Sequence, residues 1–186
     1  VIISVLFFFS GVSALIYEVT WARKLSLVFG TDTYAISTVV AVLFSGLALG
    51  SWLFGKFVDT RILTNDKRMK TNPGIRSNSN PLLIYGLLEL GVGLYAAATP
   101  FIFKGIEAVQ VSFWRTFEPS FGGFSFVAFL LSVLGLLIPT ILMGGTLPVV
   151  VKATTLINAD REQISADGKV GGKAGLLYAV NTAGAV

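Results

Sequence analysis

Residues 119–151 read PSFGGFSFVAFLLSVLGLLIPTILMGGTLPVVV, a run of 33 residues without a charged side chain. About 20 predominantly apolar residues are enough to cross the hydrocarbon core of a bilayer as an α-helix. A strand of a membrane β-barrel would instead alternate apolar and polar residues over about ten positions. Because this run is apolar on every face, it predicts a membrane-spanning helix and an all-α fold.

The composition of the whole chain agrees with this. Of the 186 residues, 54% are hydrophobic and 13% are charged, whereas charged residues usually make up about 25% of a soluble domain. The chain contains neither Cys nor His, which excludes a disulfide framework, a thiol nucleophile, a Cys/His zinc site and an imidazole base. We therefore expect no catalytic residue, no metal site and no cofactor within this chain.

Further apolar segments predict a single transmembrane module of four complete spans and the start of a fifth. Polar segments at about 58–80 and 152–173 are predicted to be loops. Because the chain begins and stops inside apolar runs, we expect it to be a fragment of a longer protein. The predicted spans are residues 1–22, 34–57, 81–103, 124–151 and, incomplete, 174–186.

The distribution of basic residues predicts the orientation. Segments 56–76 and 152–173 together hold ten Lys and Arg residues, whereas the connections on the other side hold four. Since cytoplasmic loops carry the excess of Lys and Arg, these two segments and the N-terminus are predicted to be cytoplasmic. The protein is then a multi-pass protein of the plasma membrane, with the lipid bilayer as its first partner; nucleic acid is not expected as a partner.

The connection after the third span has an amphipathic pattern. Its apolar residues recur at helical spacing, and Trp114 supplies a ring suited to the membrane interface. This pattern predicts a separate amphipathic helix in the outer interface. The alternative is that the third span continues as a helix into solvent. The apolar positions are Ile106, Val109, Phe113 and Phe117.

Two carboxylates, Glu18 and Glu89, lie inside predicted spans, where a charge is costly. Each belongs to a stripe of small residues, which suggests that it faces a neighbouring helix. The stripe of Glu89 consists of Gly86, Gly93 and Ala97. Two readings stay open: a proton-linked or cation-linked site, or a buried packing clasp, with Glu18 held by a hydroxyl, a backbone group or Arg23. The candidate intramembrane polar site is Glu18, Arg23, Glu89 and Asn181.

The second span contains a small-residue packing face and ends in a motif that resembles one known from transporters. Gly46 and Gly50 form a small-residue packing face. Gly55, Asp59 and Arg61 follow with a spacing that resembles the start of the loop signature of major facilitator transporters. In that signature the Asp caps a neighbouring helix and the basic residues tether the cytoplasmic loops. The resemblance implies the same roles for Asp59 and Arg61.

The fourth span contains helix-breaking residues. A proline removes one intrahelical hydrogen bond and kinks a helix, and interrupted helices in transporters often line the substrate path. We therefore expect a broken fourth span. It would either line such a path or only shape the packing. The positions concerned are Pro139, Gly144, Gly145 and Pro148.

Five segments together resemble one family. They are residues 10–23 (SGVSALIYEVTWAR), 28–35 (VFGTDTYA), 46–51 (GLALGS), 139–148 (PTILMGGTLP) and 177–185 (LYAVNTAGA). In this order they resemble the membrane half of the bacterial proteins described as fused major-facilitator/spermidine-synthase proteins.

The resemblance implies a helical membrane half in the bacterial inner membrane, followed by a soluble cytoplasmic domain similar to polyamine synthases. Such a domain has a Rossmann-like fold and binds a ligand of the decarboxylated S-adenosylmethionine type, but its acidic catalytic residues have no counterpart here. The first hypothesis is therefore a membrane domain that anchors, and serves, such a synthase-like domain. The alternatives are half of a major-facilitator-type transporter for a small solute such as a polyamine, and a structural membrane subunit.

Overall fold

The structure is a computed structural model that describes residues 2–71, 81–159 and 167–185. These residues form five α-helices, which confirms the all-α fold. Four of the helices are long and apolar enough to cross a membrane, so the chain is a multi-pass membrane protein. The helices are α1 (Ile2–Phe29), α2 (Asp32–Thr71), α3 (Pro81–Phe117), α4 (Phe121–Ala159) and α5 (Asp167–Gly184).

Short turns join the helices at one end of the bundle. Gly30 ends α1 in the left-handed conformation, with φ of 72°, and its N–H donates to the carbonyl of Ser26 at 2.9 Å. This is a common helix C-cap, and glycine adopts it without a steric penalty. At the end of α3, Glu118 has a φ of 42°, and Pro119 follows it, where the helix cannot continue. The tight turns make α2 antiparallel to α1, and α4 antiparallel to α3.

Two hydrophobic clusters fill the interior of the bundle, one towards each end. The first lies near the α1–α2 turn and is built around Trp21 and Leu25 of α1, Val39 of α2 and Ile106 of α3. The second joins the opposite ends of the same helices to α5. Its buried members are Phe7, Val58, Tyr85, Leu88, Val149, Val150 and Leu177.

Large apolar side chains also cover the outside of the bundle. Leu27, Phe101 and Leu134 are 81%, 74% and 69% exposed. A soluble monomer rarely presents apolar patches of this extent. In a bilayer the same side chains contact lipid, as expected for membrane-spanning helices.

The closest helix pair is α2 with α4. An added Cβ at Gly46 would lie 1.9 Å from the hydroxyl oxygen of Thr140, and one at Gly50 would lie 2.0 Å from the carbonyl oxygen of Ile141. From the other side, a Cβ at Gly144 would lie 2.4 Å from the carbonyl oxygen of Leu47. The predicted packing face at Gly46 and Gly50 is thus confirmed, and glycines of both helices allow the backbones to touch.

Three expectations about the helices are wrong. The segments predicted to be loops are largely helical, since α2 continues to Thr71, α4 continues to Ala159 and α5 begins at Asp167; residues 72–80 and 160–166 lie outside the described residues. The predicted amphipathic helix is not a separate element, because α3 runs without a break to Phe117. The alternative, an extension of the third span, is what the structure shows.

The third correction concerns α4, which is continuous through Pro139 and Pro148. Gly144 and Gly145 are also helical, so none of the four predicted break positions interrupts the span. Hydroxyl groups of neighbouring helices compensate for the missing hydrogen bonds, as described below.

Helix α3 also packs through a different face from the one predicted. Gly86, Gly93 and Ala97 are exposed, and nothing lies within 4 Å of a Cβ added at either glycine. The helix instead packs through larger residues at helical intervals of three, four and eleven, because these bury more apolar area. The buried residues of this seam are Tyr85, Leu88, Val92, Phe103, Ile106 and Gln110.

Candidate polar sites within the bundle

Glu89 of α3 contacts helix α1 through its carboxylate. The hydroxyl of Ser10 donates a hydrogen bond to Oε1 of Glu89 at 2.8 Å. Tyr85, one turn earlier on α3, lies close enough to the same carboxylate to interact with it electrostatically. The Tyr85 ring in turn packs edge-on against Phe7 of α1, with centroids 6.4 Å apart. Glu89 therefore faces a neighbouring helix, as predicted, although the glycines beside it do not.

Asn181 of α5 binds the same part of α1. Its side-chain Nδ2 donates to the backbone carbonyl of Phe7 at 2.9 Å. The two helices approach closely here, because a Cβ added at Gly11 would lie 2.0 Å from the carbonyl oxygen of Asn181. The structure thus brings two of the four predicted intramembrane residues, Glu89 and Asn181, to one turn of α1.

Glu18 and Arg23 do not belong to this group. Glu18 lies eight residues beyond Ser10, about 12 Å further along α1 at 1.5 Å per residue. It is half-buried beside Tyr17, which stacks on Trp21 with centroids 5.8 Å apart. Arg23 is exposed. Within the described part of the chain the two residues form no ion pair with each other, so the structure does not show the pairing that was one alternative for Glu18.

The motif at the end of the second span makes a contact between helices. Oδ1 of Asp59 pairs with Nζ of Lys152 at 2.6 Å and so links α2 to α4. Gly55, one turn earlier, lies against Pro148, whose Cβ is 3.9 Å from a Cβ added at the glycine. The side chain of Arg61 lies outside the described residues. Asp59 therefore ties α2 to the beginning of the second polar segment.

The two prolines of α4 are each matched by a hydroxyl from another helix. Pro139 has no N–H to donate to the carbonyl of Gly135, four residues earlier. That carbonyl accepts a hydrogen bond from the hydroxyl of Tyr95 of α3. Pro148 likewise leaves the carbonyl of Gly144 without its intrahelical donor, and the hydroxyl of Ser51 of α2 donates to it at 2.8 Å.

The binding of Tyr95 and Ser51 to these carbonyls was not predicted from the sequence. Since an unpaired backbone group inside a membrane is costly, a proline at position i predicts that some donor lies near the carbonyl of residue i−4. Which helix supplies the donor depends on helix register, and the sequence does not contain that information directly.

The arrangement around Glu89 can perform two kinds of task. A carboxyl group that accepts a hydrogen bond from Ser10 and lies beside Tyr85 can bind a proton or a small cation, or it can join helices α1 and α3. No group of three or more His, Cys, Asp or Glu side chains in the described residues could hold a metal ion. The chain matches no known protein family, no curated protein and no solved structure.

Proposed function

We propose that this chain is a membrane-anchoring module for a polyamine-synthase-like domain that lies outside it, at the cytoplasmic face of the bacterial inner membrane. The observation that carries the anchoring role is the interlocking of the helices. Polar groups inside the spans are paired across helix boundaries, by Ser51 with Gly144, Tyr95 with Gly135, and Ser10 with Glu89. Glycines close the α2–α4 contact as well. A rigid bundle of this kind suits a scaffold.

The anchored domain and the side of the membrane on which it lies are inferred separately. The nature of the anchored domain rests on the resemblance of the five sequence segments. The orientation rests on the excess of Lys and Arg at the end of the bundle that carries Asp59 and Lys152. By the positive-inside rule this end faces the cytoplasm, which is where a synthase-like domain would meet its substrates.

The test of the anchoring role uses the complete protein with a protease site inserted directly before the synthase-like domain, beyond the end of the fifth span that residues 174–186 begin. In inside-out membrane vesicles, cleavage should release a soluble fragment that transfers an aminopropyl group from decarboxylated S-adenosylmethionine to putrescine. Residues 1–186 should stay in the membrane. Vesicles from the uncleaved protein are the control. If cleavage releases no soluble fragment, or the released fragment lacks this activity, the proposal fails.

The orientation has its own test, which uses single cysteines in a Cys-free background. We expect an impermeant thiol reagent to label Cys at position 120 in intact cells, and Cys at position 77 only after the membrane is permeabilised. Labelling in the reverse pattern would invert the topology.

One observation favours a second candidate function, transport of a small cationic solute. Among the described residues, the Glu89 carboxylate accepts a hydrogen bond from Ser10 but has no basic residue within 4.0 Å, so a bound cation or proton would supply the missing positive charge. In proteoliposomes, the anchoring proposal predicts no polyamine uptake by either the native protein or Glu89→Gln. Uptake that Glu89→Gln abolishes without a loss of thermal stability would establish the transporter instead.

A further inference from the structure

A cavity of about 520 Å³ opens between α1, α3 and the start of α4. This is within the range of about 300–1,000 Å³ that is usual for sites of small ligands. It lies at the end of the bundle marked by the α1–α2 turn: Arg115 on its wall is two residues from the end of α3 at Phe117. The polar contacts of Glu89, Asn181, Asp59 and the two prolines all lie outside it.

The polar lining of the cavity consists mainly of hydrogen-bond donors. Lys24 of α1 and Lys104 and Arg115 of α3 contribute three positive charges, and Glu107 contributes one negative charge. The lining therefore carries a net charge of about two positive units. Such a lining attracts an anion that carries several acceptor oxygens, since charged donors bind such oxygens most strongly.

The amide of Gln110 also indicates that the cavity binds a ligand. It lines the same cavity and is only 4% exposed. Its amide Nε2 is buried and has no hydrogen-bond partner among the described residues. A buried donor without an acceptor costs about 1–3 kcal/mol. Because Nε2 itself is closed off from solvent, a rotation of the amide towards the cavity would let an acidic oxygen there remove that cost.

The remaining walls are apolar and open to the surroundings of the bundle. Phe103 and Phe124 form the inner wall, while Leu27, 81% exposed, and Trp114, 50% exposed, lie at the edge. Because these exposed residues belong to the outward faces of membrane-spanning helices, the cavity opens towards lipid. Tryptophan at such a position is typical of the membrane–water interface.

We propose that this cavity binds an anionic phospholipid. The phosphate group contacts Lys24, Lys104 and Arg115 and accepts a hydrogen bond from Nε2 of Gln110. The acyl chains lie along Leu27 and Val111, outside the bundle. The site adds a lipid requirement that does not depend on what the module anchors.

The test is a lipid titration of the complete, delipidated protein in mild detergent, read by native mass spectrometry. We expect one phosphatidylglycerol molecule to be retained preferentially over phosphatidylcholine. Lys104→Gln and Arg115→Gln should each weaken its retention about tenfold. Gln110→Leu fills a similar volume but removes the hydrogen-bond donor, so it should weaken lipid retention several-fold.

Two variants keep the test specific. Glu107→Gln removes the negative charge from the wall and should strengthen retention, a gain that misfolding would not produce. Arg23→Gln removes an exposed charge beside Lys24 that does not line the cavity, so it should leave retention unchanged. Equal retention of phosphatidylcholine, or equal binding in all variants, would overturn the proposal. So would equally tight binding of glycerol 3-phosphate, because the occupant would then be a soluble phosphate.

Discussion

The most direct test of the packing concerns Ser51 and the carbonyl of Gly144, which Pro148 deprives of its helical donor. Removing the hydroxyl in Ser51→Ala leaves this carbonyl without a partner inside the bundle. The hydroxyl–carbonyl distance is 2.8 Å, and Gly144 is buried against α2. Water or lipid therefore cannot easily replace the lost hydrogen bond, and the variant should be less stable.

The size of the effect follows from the reference values for membrane proteins. Hydrogen bonds between membrane helices contribute about 0.6 kcal/mol on average and up to about 1.7 kcal/mol. Because this carbonyl lacks its intrahelical bond as well, we expect a value near the upper end, about 1.5 kcal/mol. In a Pro148→Ala background the N–H of residue 148 can donate to Gly144, so Ser51→Ala should then cost only about 0.5 kcal/mol. The expected coupling between the two positions is thus about 1 kcal/mol.

The assay is reversible unfolding of the complete protein in mixed micelles with increasing sodium dodecyl sulfate, for the native protein, both single variants and the double variant. Ser26→Ala is the matched control, since its hydroxyl bonds the carbonyl of Ala22 within α1 at 3.1 Å, and that carbonyl keeps its helical donor. The control should change the free energy of unfolding by less than about 0.5 kcal/mol. An equal cost of Ser51→Ala in both backgrounds would refute the proline argument.

Three further predictions test other contacts, all by the same unfolding assay. Gly50→Ala places a Cβ 2.0 Å from the backbone of Ile141 and should destabilise the protein by about 2 kcal/mol or more. The control Gly93→Ala places its Cβ in open space and should be neutral or slightly stabilising. Equal effects of the two variants would mean that the α2–α4 contact is not close. Asn181→Leu removes the hydrogen bond to Phe7 and should cost about 1 kcal/mol, and an unchanged stability would exclude a role of this bond in holding α5. Asp59→Asn should lower the free energy of unfolding by less than about 1 kcal/mol, because both partners of the ion pair are about half exposed. Exchanging the two residues, with Lys at 59 and Asp at 152, should bring the stability back to that of the native protein. If it does not, the variant acts through something other than this ion pair.

Much of the fold could be predicted from the sequence because hydrophobic length dominates in membrane helices. The four spans, the turn at Gly30 and the packing of Gly46 and Gly50 follow from apolar runs and small residues. The helix ends could not be placed in the same way. Residues 60–71 are polar and resemble a loop by composition, yet α2 continues through them, since a helix that is already formed extends at little cost.

The candidate site was predictable only in its residue types. An intramembrane Glu predicts a polar neighbour, and Ser10 and Tyr85 fill that role for Glu89. Their identity depends on which turn of α1 meets which turn of α3, and this register is set by the apolar seam of α3, not by its glycines. The stripe at Gly86 and Gly93 misled the prediction because small residues permit close packing without enforcing it.

The spacing of the two prolines explains how α4 holds two neighbours at once. Pro139 and Pro148 are nine residues apart, and so are the carbonyls of Gly135 and Gly144 that they leave free. At 3.6 residues per turn, nine residues make about 2.5 turns, which places the two carbonyls on opposite sides of the helix. Tyr95 of α3 therefore reaches one carbonyl and Ser51 of α2 reaches the other. A spacing of seven or eleven residues would have placed both carbonyls on one side, where a single neighbouring helix would have to supply both donors. The nine-residue spacing thus gives α4 one polar attachment to α2 and one to α3, and its helix stays continuous.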